Sequence, residues 1–130
     1  MLKIDHIGIA VKSLAEAVPL YEKLLGTPCY KTELVELEKV NTAFFRMGES
    51  KIELLESTDP NGVIAKFIEK KGEGVHHIAY EVTSLENEIA RLQKEGFVML
   101  DEKPRPGADN KLICFLHPRN TKAVLVELCM

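Results

Sequence analysis

The sequence predicts an α+β fold: two tandem βαβββ modules related by a pseudo-twofold axis, forming a mixed eight-stranded cup-shaped sheet around a metal site. Three observations carry this expectation. A strand near the N-terminus runs directly into a capped helix, the same segment returns without a gap 71 residues later, and each copy carries a histidine on its first strand and a glutamate on its last. A chain of 130 residues suits one domain with its own core. Module 1 is expected over about 1–58, a linker helix over about 60–72 and module 2 over about 73–130.

The first strand is IDHIGIAV at 4–11, where β-branched residues alternate around His6, so that Ile4, His6, Gly8 and Ala10 share one face. Ser13-Leu14-Ala15-Glu16 then fits a capping box and Gly26 a helix stop, with Pro19 predicting a local kink. Three more strands are expected near 28–36, 40–47 and 51–56, the last two joined through Gly48-Glu49-Ser50. A short helix from Pro60 to Lys71 ends at Gly72.

The repeat begins at Val75. VHHIAYEVTSLENEIARLQKEG at 75–96 lies over IDHIGIAVKSLAEAVPLYEKLL at 4–25, which matches His6 with His77, Val11 with Val82, Ser13 with Ser84 and Leu14 with Leu85. The offset of 71 persists to Phe44 and Phe115, and becomes 74 where Ile52-Glu53-Leu54 meets Val126-Glu127-Leu128, because the second turn, Pro118 to Lys122, is three residues longer. A half-domain whose sheet must bury one face finds its partner in a second copy.

A lone histidine in an apolar strand is ordinarily a hydrogen-bonded core group. A glutamate in the middle of KIELL or VLVEL is harder to dismiss, since burying an unpaired carboxylate costs several kcal/mol. Duplication places both pairs at equivalent positions, and two imidazoles with two carboxylates make a charge-balanced divalent site: His6, Glu53, His77 and Glu127 are the expected metal ligands. Gly8 and Ala79, two residues beyond the histidines, leave room above the ion, and an octahedral ion held by four side chains keeps two positions for a chelating substrate. Co, Ni, Mn and Zn all suit such a set. His76 is expected on the helix side. Lys111, His117 and Arg119 lie in a stretch with a local excess of positive charge and are the candidate substrate-binding residues.

The net charge of -3 gives no basic face for nucleic acid. Cys29, Cys114 and Cys129 form an odd set without CxxC spacing, as in a reducing cytoplasm. The charged N-terminus lacks a signal-peptide core and no apolar run reaches membrane-spanning length, so a cytoplasmic protein is expected.

These residues support a resemblance. IDHIGIAV, IELLESTDP, IAKFIEKKGEGVHHIAYEV, DEKPRPGADNK, CFLHPRNT and VLVEL together resemble the vicinal oxygen chelate superfamily and, within it, the methylmalonyl-CoA epimerase family. The resemblance implies the same four ligands, a CoA thioester substrate, a homodimer, and epimerisation at C2 by proton abstraction and return. Some of these epimerases carry glutamine at the position of Glu53 and a separate catalytic glutamate on the preceding strand, where this chain has Thr42. Threonine is no base, and alternation places neither Glu33 nor Glu38 on the cup face. The two catalytic carboxylates are therefore expected to be Glu53 and Glu127. Glyoxalase I shares the ligand pattern and is the alternative, with a non-catalytic drug-binding resistance protein as a second.

Overall fold

A computed structural model describes all residues, 1–130. Eight strands and three α-helices follow in the order β1 (Lys3–Ala10), α1 (Leu14–Leu25), β2 (Lys31–Val35), β3 (Val40–Met47), β4 (Ser50–Ser57), α2 (Val63–Lys71), β5 (Gly74–Glu81), α3 (Leu85–Lys94), β6 (Arg105–Pro106), β7 (Leu112–Leu116) and β8 (Val126–Cys129). The strands form one mixed sheet in the order β2-β3-β4-β1-β5-β8-β7-β6. Module by module that order is palindromic, as a duplicated unit requires. Two compact units make up the chain: Ile7–His76, and Met1–His6 with His77–Met130, so the division falls inside β1 rather than at the border of the repeat.

In the Ile7–His76 unit, Ser13 caps α1 by accepting from the Glu16 amide at 3.3 Å, and Gly26 ends it in the left-handed region at φ 67°. The helix runs on through Pro19, so no break accompanies the expected kink. Antiparallel pairing sets Ala43 opposite Leu54 and Phe45 opposite Ile52, and these residues meet Leu14, Ala17, Val18 and Tyr21 of α1 in the unit's core. The register also sets Phe44 opposite Glu53, Thr42 opposite Leu55 and Glu33 opposite Thr42. Cross-strand partners share a face. Glu33 therefore lies on the Glu53 face, contrary to the sequence expectation. The cause is β2, which ends at Val35 ahead of a 3-10 turn, Glu36–Glu38, with Lys39 left-handed at φ 55° closing it.

The second unit repeats this arrangement. Ser84 caps α3 by accepting from the Asn87 amide at 3.2 Å, and Leu85 and Leu92 of the helix pack with Cys114, Leu116 and Leu128. Those three strand residues are the repeat equivalents of Ala43, Phe45 and Leu54. Leu128 is fully buried, which contributes about 1.5–3 kcal/mol. β8 pairs with β5 in parallel and with β7 antiparallel, placing Ala79 and Phe115 on either side of Glu127. β6 is only two residues long, since the Pro-rich PRPG stretch offers few amides to a ladder. Gly107 follows it at a close approach, where a Cβ would lie 2.8 Å from Ile113. No helix is long and apolar enough to cross a membrane.

Candidate metal centre

In the unit formed by Met1–His6 and His77–Met130, the face opposite α3 carries Ala79, Ile113, Phe115, Glu127 and Cys129. Here the structure brings together His6, His77 and Glu127, which are 6%, 6% and 4% exposed. Their donor atoms converge. His6 Nε2 lies 3.0 Å from His77 Nε2, Glu127 Oε2 lies 3.6 Å from His6 Nε2, and Glu127 Oε1 lies 3.5 Å from His77 Nε2. Two donors bound to one ion at about 2.1 Å sit about 3.0 Å apart in octahedral geometry and about 3.4 Å apart in tetrahedral geometry. The three separations match the edges of such a polyhedron, and two imidazoles with a carboxylate suit a borderline divalent ion. The residues present fit a metal.

The surroundings hold these side chains in place. The His6 and His77 rings meet edge to face, with centroids 5.1 Å apart, and the Phe115 ring stands edge to face against His77 at 5.7 Å. Arg105 lies over Phe115 at 5.5 Å and pairs with Asp101, whose other oxygen accepts from the Phe115 amide at 2.8 Å. Asp5, buried beside His6, accepts from its Nδ1 at 2.8 Å. Neutral His6 then carries its proton on Nδ1 and presents the Nε2 lone pair to the centre.

Glu53 is 2% exposed on β4 of the Ile7–His76 unit, with Lys51 Nζ 3.8 Å from its Oε2. Lys51 is itself 8% exposed and reaches over Phe44 at 5.9 Å. Thr42 is fully buried on the same face, and its hydroxyl has no hydrogen-bond partner.

The candidate substrate-binding residues are dispersed. Lys111 Nζ sits 3.5 Å from Asp5 and 3.4 Å from Glu81. His117 Nδ1 accepts from the Arg119 amide at 3.2 Å and caps the 3-10 turn Pro118–Asn120, while the Arg119 side chain is exposed. His76 packs edge to face on Phe67 at 4.9 Å in the Ile7–His76 unit, and burial, then the Lys71 charge, lowers its pKa from 6.5 to about 4. Sequence reasoning missed Asp5 and Lys51. An aspartate directly before a strand histidine, and a lysine two residues before a strand glutamate, were the available signals.

Known proteins resemble this chain over nearly its whole length. The Bacillus subtilis protein YqjC, which is uncharacterized, is 44% identical over 129 residues, 99% of this chain and 92% of its own. Human mitochondrial methylmalonyl-CoA epimerase is 34% identical over 97% of this chain and 72% of its own length. A solved methylmalonyl-CoA epimerase in complex with methylmalonyl-CoA and NH4+ superposes with a TM-score of 0.94 at 35% identity, covering 99% of this chain and 94% of that one. A family profile matches residues 5–115, and the chain belongs to the Glyoxalase/Bleomycin resistance protein/Dioxygenase superfamily.

Proposed function

We propose that this protein is a divalent-metal-dependent epimerase that inverts C2 of methylmalonyl-CoA. The observation that carries the reading is the convergence of His6, His77 and Glu127 donor atoms, in a chain about one third identical to methylmalonyl-CoA epimerases over nearly its whole length. His6, His77 and Glu127 would hold the ion. Glu53 is the fourth ligand in this reading, because the repeat makes it the counterpart of Glu127.

The ion, when bound, supplies positive charge that offsets the negative charge developing on the thioester and carboxylate oxygens of the substrate. The chain's own carboxylates move the proton. Glu127 takes it from C2 on one face, and the conjugate acid of Glu53 returns one to the other, the roles reversing with the stereoisomer. Lys111, His117 and Arg119 are candidate contacts for the CoA moiety, and the active species is a homodimer, to be checked by light scattering.

The test is deuterium uptake at C2. Metal-loaded protein incubated with single-stereoisomer methylmalonyl-CoA in D2O is expected to wash label into C2 as it equilibrates the stereoisomers. No uptake, together with conversion of methylglyoxal and glutathione to the lactoyl thioester, replaces this reading with glyoxalase I. Absence of both activities points to a binder of small molecules.

A further inference from the structure

We propose that Asp5 is a positioning residue that orients His6 as a metal ligand, with Lys111 locking Asp5 in place. The proposal rests on the metal reading above and adds the residues that hold one ligand to its task. Neighbours on a strand ordinarily point to opposite faces. Asp5 and His6 instead meet side chain to side chain, Oδ2 to Nδ1, at 2.8 Å. The second carboxylate oxygen of Asp5 lies 3.5 Å from Lys111 Nζ, which reaches Glu81 at 3.4 Å on its other side. Asp5 is 3% exposed, so its charge is compensated by the ring on one oxygen and by the ammonium on the other.

The chemical consequence falls on Nε2. A carboxylate accepting from Nδ1–H fixes the tautomer, stops the ring from turning, and pushes electron density toward the opposite nitrogen, making it a better donor to an ion. His6 Nε2 is thereby held 3.0 Å from His77 Nε2 and 3.6 Å from Glu127. Lys111 is suited to the supporting part. Burial works to lower its pKa, yet the Asp5 carboxylate, with Cys129 and Glu81, carries it above the ordinary lysine value, so it remains a cation.

The residues that support His6 are not repeated at His77. At the repeat offset of 71 the residue equivalent to Asp5 is His76, and that equivalent to Lys111 is Val40. Two ligands equal by descent are therefore backed by different chemistry, and the His6 side is predicted to be the anchor.

The experiment measures Co2+ binding to metal-free protein by calorimetry and by the d–d absorption of the complex. Asp5→Ala is expected to weaken binding about 10- to 100-fold and to alter the absorption band. Asp5→Asn, which keeps an acceptor but loses the charge, should fall between it and the parent. Lys111→Met, which removes the ammonium from Asp5, is expected to weaken Co2+ binding severalfold in the same calorimetry. Nitrogen-15 NMR of the metal-free parent protein should find His6 protonated on Nδ1, a measurement that needs no variant to fold. Parent-like affinity and absorption in Asp5→Ala and Asp5→Asn, or His6 protonated on Nε2, overturns the positioning role while the metal reading stands. Failure of the parent protein to bind Co2+ overturns the metal reading and this proposal with it.

Discussion

Thr42→Val is the sharpest test of the face that carries Glu53. Thr42 is fully buried on β3, opposite Leu55 and Glu33, and its hydroxyl finds no partner. Leaving a buried hydroxyl unsatisfied costs about 1–3 kcal/mol, and replacing it by a methyl of the same shape removes that cost. Valine is β-branched like threonine and at least as well suited to a strand, so the backbone loses nothing. The expected gain is about 1–2 kcal/mol, which for a domain of this size raises Tm by roughly 3–8 °C. Calorimetry of metal-free and metal-loaded protein reads the change, and urea titration checks that the m-value is constant. Turnover should stay within about twofold of the parent, because a threonine hydroxyl at this site holds no catalytic proton. A lowered Tm would show that the hydroxyl is bonded after all. A raised Tm with turnover reduced tenfold or more would place it against the substrate and refute the assignment of both bases to Glu53 and Glu127.

Glu53→Gln is expected to retain the metal, measured by plasma emission, while losing most deuterium exchange; full exchange in this variant would turn attention to Glu33, across the ladder from Thr42. His77→Ala removes one of three converging donors and should abolish stoichiometric metal binding, and chelation of the parent protein should stop turnover reversibly on readdition of the ion. Because burial depresses the His76 pKa to about 4 from 6.5, folded and unfolded chains are both neutral there above 6.5, whereas below it the unfolded chain takes a proton that the folded one refuses. Stability should therefore fall as the pH drops, by at most about 2 kcal/mol between pH 7.5 and 5 from this group, and His76→Gln should flatten that slope in urea titrations. Equal slopes for the two proteins would show that His76 is solvated.

Much of this architecture could be read from local chemistry. Ser13 and Ser84 start their helices because a hydroxyl three residues ahead of an amide can cap it, whatever the tertiary context. β3 spans the expected 40–47, bounded by the turn at Gly48. The repeat was legible for a different reason: an offset of 71 relates His6 to His77, and one of 74 relates Glu53 to Glu127, whether or not the strands are correctly delimited. What stayed hidden depends on register and side-chain torsion. The face of Glu33 follows from how β2 pairs with β3, fixed by the turn through Lys39. Alternation predicts that Asp5 turns away from His6, and only the side-chain geometry reveals that it bends back. Nothing local in the sequence links Lys111 to Asp5, 106 positions away.

The division of β1 between the two units sets an order of events in synthesis. Met1–His6 belongs with His77–Met130, so His6 emerges from the ribosome early and must wait for Glu127, 121 residues later. At translation rates of about 5–20 residues per second, that wait is roughly 6–24 s. A ribosome that stalls between β5 and β8 leaves His6 and His77 without Glu127, so the proposed ion-binding triad is complete only once β8 has been made.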